Sequence, residues 1–390
     1  MLASLKGLCP SDVLSVPLQT LWVRGPKSKV GVRKAQAMTE GTVPCYTSGE
    51  AVYKVTEYLV DGDYIFVNDG GSADFKYHEG KAYYTDHVVA ITTKESIKAK
   101  YLYYYLQNTK EYIDANLFRG SGLKNLSITE LGNYLIPLPP LPVQEEIVRI
   151  LDSFTELTAE LTAELTAELT ARKKQYEFYR EQLLGFEGRD DVEWKSIGDV
   201  ATYHRGLTYS KESEVTSGGI RVLRANNIDV GSNTLNFKDV KRVSSKVKVR
   251  ADQRLYKGDI LICSASGSKA HVGKVAYVTE DLDYYFGGFM AAVRSKDSVS
   301  SRYLYHLLAS SWFTKHLEKE LDGSTINNIK ATLVYSCRVP IPSLAEQERI
   351  VSILDQFDTL TNSLTEGIPA EIELRQKQYE FYREKLLTFK

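Results

Sequence analysis

Hydrophobic positions along this chain follow two rhythms. VYKVTEYLV (52–60), DYIFVND (63–69) and AYYTDHVVAIT (82–92) alternate β-branched and aromatic residues with polar ones, as do DILICSA (259–265) and KVAYVTE (274–280), and all five predict strands. SIKAKYLYYYLQNTKEYIDANL (96–117) and VSSRYLYHLLASSWFTKHLEKEL (299–321) carry apolar residues at helical spacing, and each predicts a helix. The segments IPLPP (136–140) and VPIPS (339–343) cannot enter a helix, so each marks the hand-over from a mixed block to the element that follows. After Pro142, Ile147, Ile150, Leu151, Phe154, Leu157 and Leu161 keep helical spacing, and Leu165, Leu169, Tyr176, Phe178, Tyr179 and Leu183 extend it. The pattern predicts one helix of about 40 residues, about 60 Å long.

A helix of that length needs a partner stripe, and the chain supplies one by repeating itself. IPLPPLPVQEEIVRILDSF from Ile136 matches VPIPSLAEQERIVSILDQF from Val339 at a constant offset of 203, through QYEFYREQLLGF (175–186) and QYEFYREKLLTF (378–389), with 29 of 51 positions identical. Weaker matches lie upstream. Gly120-Ser121 and Asn125 face Gly323-Ser324 and Asn328, Tyr101-Leu102-Tyr103 faces Tyr303-Leu304-Tyr305, and DGDYIFVNDGGS (61–72) faces KGDILICSASGS (257–268). The 390 residues therefore divide into a block 1–143, a helix 144–187, a second block 188–345 and a second helix 346–390. Two such halves imply a pseudo-two-fold α+β monomer.

The first helix contains three exact T-A-E-L units (158–169), with leucine every fourth residue. That spacing overshoots the helical period by about 40° per repeat, so the apolar seam drifts around the helix and suits a length-setter better than a recognition face. Each unit adds about 6 Å, close to two base-pair rises. Tandem units also invite slippage in the coding sequence. The equivalent stretch, TNSLTEGIPAEIEL (361–374), carries Gly367 and Pro369 and predicts a broken or kinked helix.

Charge becomes informative only when counted by segment. The four segments carry +1, −5, +6 and −3, so the net −1 conceals two neutral-to-basic blocks suited to a polyanion. No apolar run is long enough to span a bilayer, and Cys9, Cys45, Cys263 and Cys337 lie apart, as expected of a cytoplasmic protein with reduced thiols and no zinc site. Catalytic signatures are missing too. GSKAHVGK (267–274) has the wrong spacing for a phosphate-binding loop, the histidines at 78, 87, 204, 271, 306 and 316 form no H-E-x-x-H, and neither G-x-S-x-G nor a helix-opening G-x-G-x-x-G occurs. EYLVDGD (57–63) and RLYKGD (254–259) share only a Gly-Asp turn. The expectation is a chain with no active site and no cofactor of its own.

With the repeat, the long helices and the missing chemistry together, the chain resembles the specificity (S) subunit of type I restriction-modification enzymes. The resemblance rests on GSG-x-x-NLS with IPLPPLPVQEEIVRILD, on GST-x-x-NI with VPIPSLAEQERIVSILD, on KKQYEFYREQLL and QKQYEFYREKLL, and on VEWKSIGDV, which opens the second half. The T-A-E-L repeat resembles a spacer of one subgroup, in which repeat number sets the gap in a bipartite DNA site. One departure stands out: the first half opens VLSVPLQTL (13–21), with Ser15 where Trp194 would align.

The resemblance implies two α/β target-recognition domains, each reading a half-site, held apart by an antiparallel coiled coil of two long helices. It implies as partners two modification subunits, which bind S-adenosylmethionine and methylate adenine N6. For cleavage it implies two restriction subunits that use ATP and Mg2+. Tyr176, Tyr179, Arg180, Tyr379, Tyr382 and Arg383, repeated in both halves, are candidates for the modification-subunit contact, with packing between the long helices as the alternative. For DNA, KVKVR (246–250) predicts a strand presenting Lys246, Lys248 and Arg250 on one face. RVLRANNID (221–229) offers Arg221, Arg224, Asn226 and Asn227, types that read guanine and adenine edges. In the first half Tyr46, Thr47 and Ser48, with Lys27, Lys29, Arg33 and Lys34, take the corresponding part, and Arg119, Lys124 and Lys269 are candidates near the glycine-serine signatures. Two rival readings are a stand-alone nuclease and a duplicated scaffold that binds only protein.

Overall fold

The structure, a computed structural model, describes residues 13–38, 41–120, 122, 124–229, 231–266, 271–321, 328–363 and 366–389. Its contacts form two compact units, Met1–Ala163 with Glu373–Lys390, and Glu164–Ile372. Each unit thus combines one globular block with the beginning of one long helix and the end of the other.

In the first unit a four-stranded antiparallel sheet runs in the order Trp22–Arg24, Val88–Thr93, Asp63–Asn68, Phe75–Glu79. A second sheet pairs Val43–Tyr46 antiparallel with Val52–Val55 and parallel with Tyr83–Tyr84. Ile65, Val67, Phe75 and Ile91 from the first sheet meet Tyr101, Leu102, Leu106 and Ile113 from two helices, Ala99–Asn108 and Lys110–Leu117. Ile147, Ile150, Leu151, Leu386 and Leu387 from the long helices complete this core.

The second unit repeats the plan. Its four strands run Ala201–Arg205, Met290–Ser295, Ile260–Cys263, Val275–Tyr277, and Ile220–Leu223 pairs antiparallel with Lys241–Val243 and parallel with Tyr285–Phe286. Each block is closed by pairing its first strand with the strand that precedes the long helix, Ser15–Pro17 with Leu135–Pro137 and Glu193–Ser196 with Arg338–Ile341. Ser15 lies opposite Pro137 as Trp194 lies opposite Pro340, so the unusual opening of the first half keeps the strand and loses only the ring, which in the second half rests on Trp312 at 5.5 Å.

Where one helix was expected in each block the structure has two, with breaks at Thr109 and at Ala309–Ser310. Hydroxyls at the breaks donate back to carbonyls of the preceding turn, Thr109 to Tyr105 at 3.0 Å and Ser310 to Leu307 at 2.6 Å, competing with continuation of the helix. The first long helix is continuous over Leu141–Leu184, and its T-A-E-L leucines are half-buried or exposed, as a drifting seam requires. The second is broken between Leu344–Asn362 and Ile368–Leu387. A side chain at Gly367 would lie 2.5 Å from the Thr359 carbonyl, so only glycine permits the chain to fold back there.

The repeated signature residues tie each long helix to its block. Gln144 and Gln347 are fully buried. Gln144 accepts from the Lys98 N–H at 2.9 Å and donates to the Pro139 carbonyl at 2.8 Å. Gln347 accepts from the Ser300 N–H and donates to Pro342, both at 2.9 Å. Tyr101 and Tyr303 donate to the carbonyls of Pro137 and Pro340 in the same way.

About two turns further along, a polar cluster joins helix to block, and the two units build it from different residues at matching positions. In the second unit Arg302 pairs with Asp355 at 2.7 Å and Asp358 at 2.6 Å, while His306 Nε2 donates to Asp355 at 2.9 Å. The Tyr176 hydroxyl lies 3.4 Å from His306 Nδ1. In the first unit Lys100 pairs with Asp152 at 2.8 Å, and Tyr104 donates to Asp152 at 2.6 Å where the second has histidine. Thr155 donates to Tyr379 at 3.0 Å. Burial pushes His306 below its ordinary value, against the pull of Asp355. Burial also opposes the Asp355 carboxylate, but the bond from His306 and the charge and bond of Arg302 outweigh it and hold the carboxyl below the usual range.

Two expectations follow. Gln347→Ala strands a buried N–H and a buried carbonyl and should destabilise the second unit by about 3 kcal/mol, read as a shift in its denaturant midpoint; an unchanged midpoint rejects the latch. His306 has a folded value below its unfolded one, so its contribution is present above about pH 6.5 and is lost as pH falls through that value, whereas Asp355, also lowered, keeps its contribution down to about pH 3.9 and loses it only below. Thermal stability of the second unit should drop from pH 7.5 to 5, and His306→Gln should flatten that drop. An equally steep profile in the variant would contradict this assignment.

Candidate nucleic-acid interface

In the first unit, backbone bonds gather the ends of several strands into one rim. Asp86 N–H donates to the Val30 carbonyl at 3.0 Å, Thr85 N–H to Tyr46 at 2.9 Å and Gly71 N–H to Lys124 at 2.8 Å. Side chains continue the pattern, Asn68 donating to the Ser48 carbonyl at 2.7 Å and Lys76 to that of Thr47 at 3.0 Å. The segment carrying Lys27 and Lys29, the turn at Thr47–Ser48 and Lys124 are therefore brought together. Ser28 and Val30 are buried, which turns Lys27 and Lys29 outward, and Arg33 and Lys34 follow on the short helix Val32–Ala37. None of these five basic residues forms an ion pair among the described residues, so their charge is available to a polyanion.

Three first-half candidates serve structure instead. Tyr46 stacks on Phe66 at 4.5 Å, and burial raises its phenol above the ordinary value. Thr47 is buried; its hydroxyl donates to Ala51 at 2.8 Å and accepts from the Gly49 N–H, which shapes the turn and leaves Ser48 as its presented residue. Arg119 is held by Glu130 through two bonds of 2.6 and 3.1 Å, so a phosphate would have to compete with that carboxylate.

The rim of the second unit follows the same topology. Gly206 N–H donates to Met290, Leu207 to Phe286 and Gly287 to Leu223, which places the ends of four strands together around Arg224. Asp239 organises the readers: one of its oxygens accepts from Arg224 at 2.7 Å and from Asn226 at 2.9 Å, setting a guanidinium and an amide side by side. Position 239 lies too far along the chain from both for spacing to reveal it. Asn227 is fully buried, donating to the Asn236 and Asp239 carbonyls and accepting from the Arg224 N–H. It shapes the connection, and base reading is closed to it. Arg221 stacks on Tyr284 at 4.2 Å and pairs with Asp283 at 2.8 Å.

The strand expected at 246–250 is absent. The stretch is a turn and an unpaired segment in which Val247 and Val249 pack inward and Lys246, Lys248 and Arg250 face solvent; the alternation is real, but no neighbouring strand takes up its backbone bonds. It leaves the sheet beyond Val243, which pairs with Ile220 at the end of the strand away from Leu223, so these residues do not join the rim. Arg250 is held by Asp252. Lys269 lies outside the described residues.

The candidate partner contacts on the long helices are largely packing. Tyr176 is buried, stacked on Phe357 at 6.0 Å with Arg180 over its other side at 4.8 Å, and Tyr179 also stacks on Phe357. In the first unit Tyr382 stacks on Phe154 at 5.4 Å, Tyr379 accepts from Thr155, and Arg383 reaches Asn108. The repeated phrase instead exposes Phe178 and Phe381, 59% and 53% accessible and 203 residues apart.

This duplicated architecture has known relatives. The type I restriction modification DNA specificity domain matches twice, over residues 29–171 and 189–374. A protein named as a type I restriction enzyme specificity subunit in Haemophilus influenzae is 35% identical over 371 residues, 91% of this chain and 90% of that one. The EcoR124I/EcoR124II specificity subunit of Escherichia coli is 34% identical over 300 residues, 74% of this chain and 70% of that one. Among solved structures, a chain described under complex assembly and conformational transition of the type I R-M system has a TM-score of 0.65 at 17% identity, covering 97% of this chain and 98% of its own length. Two matched domains and relatives alike over most of their length settle the assignment: the chain belongs to the family of type I restriction-modification specificity subunits.

Proposed function

We propose that the chain reads a two-part DNA site, one half-site per globular block, and positions adenine-N6 methyltransferase subunits on it. The observation that carries this reading is the duplication of the rim. Two blocks of identical strand order each gather loop ends and exposed cations. Blocks 1–143 and 188–345 are the readers, and helices 144–187 and 346–390 the connectors. Lys27, Lys29, Arg33, Lys34 and Lys124 contact phosphate in the first half, while Ser48, Arg224 and Asn226 face bases. Phe178 and Phe381, more exposed than the tyrosines of the same phrase, are the contacts for two modification subunits, which supply S-adenosylmethionine chemistry. Restriction subunits, where the complex cleaves, bring ATP and Mg2+. Such a complex works in the cytoplasm.

Mapping N6-methyladenine across the genome, with and without this chain beside its modification subunit, tests the reading. A split motif that depends on the chain is expected, and inserting one T-A-E-L unit should widen its gap while leaving both half-sites unchanged. Methylation independent of the chain would leave a protein-only scaffold as the better account. Replacing Lys27, Lys29, Arg33 and Lys34 together with alanine should lower the slope of log affinity against log salt by about 0.9 for each phosphate no longer neutralised, with base preference intact. An unchanged slope would remove these four from the interface.

A further inference from the structure

Phe289 is 72% exposed, the most accessible aromatic side chain among the described residues. It sits in the turn Gly287-Gly288-Phe289 on the rim of the second unit, and the mount is rigid. Its carbonyl accepts from the N–H groups of Ser264 and Ala265 at 2.9 and 3.0 Å, and Met290 N–H closes the turn on Gly287 at 2.8 Å. Met290, the next residue, is buried. A side chain at Gly288 would crowd the Thr208 hydroxyl at 3.1 Å, so the small residues beside Phe289 allow the turn to sit against its neighbours.

The surroundings are polar and cationic. Gly287 bonds to the Leu223 carbonyl, directly before Arg224, and Arg205 ends its strand opposite Ala291, two residues from Phe289. Arg205 has no ion pair among the described residues. An exposed ring in a turn next to the strand ends that carry Arg205 and Arg224 does not resemble the charge-depleted centre of a protein interface. At the matching turn of the first unit stands His87, whose carbonyl also accepts from an amide, that of Asp69, and whose ring pairs with the Asp69 carboxylate at 3.2 Å. The scaffold is shared, and the apolar ring is particular to the second unit.

On the reading of the rim as a DNA interface, we infer that Phe289 is a wedge that stacks on a base at a step of the duplex read by the second unit, adding specificity through the ease of opening that step. The test uses the full chain in complex with its modification subunit and duplexes carrying the split motif taken from the wild-type methylation map. Phe289→Ala should weaken binding roughly tenfold or more without changing the salt slope, because the change removes a stack and leaves every phosphate neutralised as before. Phe289→Trp should retain affinity, and Phe289→Leu should behave like the alanine variant. Base preference should relax in one half-site only. Wild-type affinity in Phe289→Ala, a slope that falls with affinity, or leucine serving as well as tryptophan would each overturn the wedge. If the wild-type complex prefers no duplex over a scrambled one, the reader role itself fails, an outcome separate from the variant series.

Discussion

Everything else in each unit depends on one amide. Gln144 and Gln347 each sit where the chain changes from block to long helix, buried, with the carboxamide oxygen on the N–H that opens the block's helix and the nitrogen on a carbonyl of the proline segment. A glutamine offers a donor and an acceptor on one planar group, and the site uses both. Any slip of the long helix would strand two buried backbone groups, so the latch fixes both angle and register before apolar packing contributes. The phrase that this chain repeats is, at these positions, a set of joints.

Beyond the latch, the two units solve the same mechanical problem with different chemistry. Lys100, Tyr104, Asp152 and Thr155 in one take the places of Arg302, His306, Asp355 and Asp358 in the other. The carboxylate common to both accepts from whatever donor faces it, which explains why this position kept its aspartate while its partners diverged. Only the second joint contains an imidazole, which burial holds below its ordinary value. The first is held by a lysine and a tyrosine.

Much of this was legible in the sequence because it is written twice. The constant offset, the prolines at the hand-over and the Gly367–Pro369 break all predicted what the structure contains. Faces were harder. QYEFYRE carries three aromatic rings in five residues, so neither composition nor period says which ring turns inward; Tyr176 is buried, the other tyrosines are covered in part by stacking or hydrogen bonding, and the phenylalanines stay outside. KVKVR alternates as a strand does, yet alternation cannot supply a neighbour to bond with. At the rim the local residue types were visible, but their organiser, Asp239, meets Arg224 only after the intervening loop has folded. Trp194 and Ser15 made the two openings look unlike because the eye followed the ring, while the pairing follows the backbone.

The fold-back at Gly367 gives the two long helices unequal mechanical characters. Both ends of the break lie close to the helix before it, with Ser363 N–H bonded to the Thr359 carbonyl and Gly367 pressed on the carbonyls of Thr359 and Leu360. The first connector is one continuous helix, Leu141–Leu184, whereas the second is two helices meeting at a glycine that no other residue could replace, so the two are not mechanically equivalent.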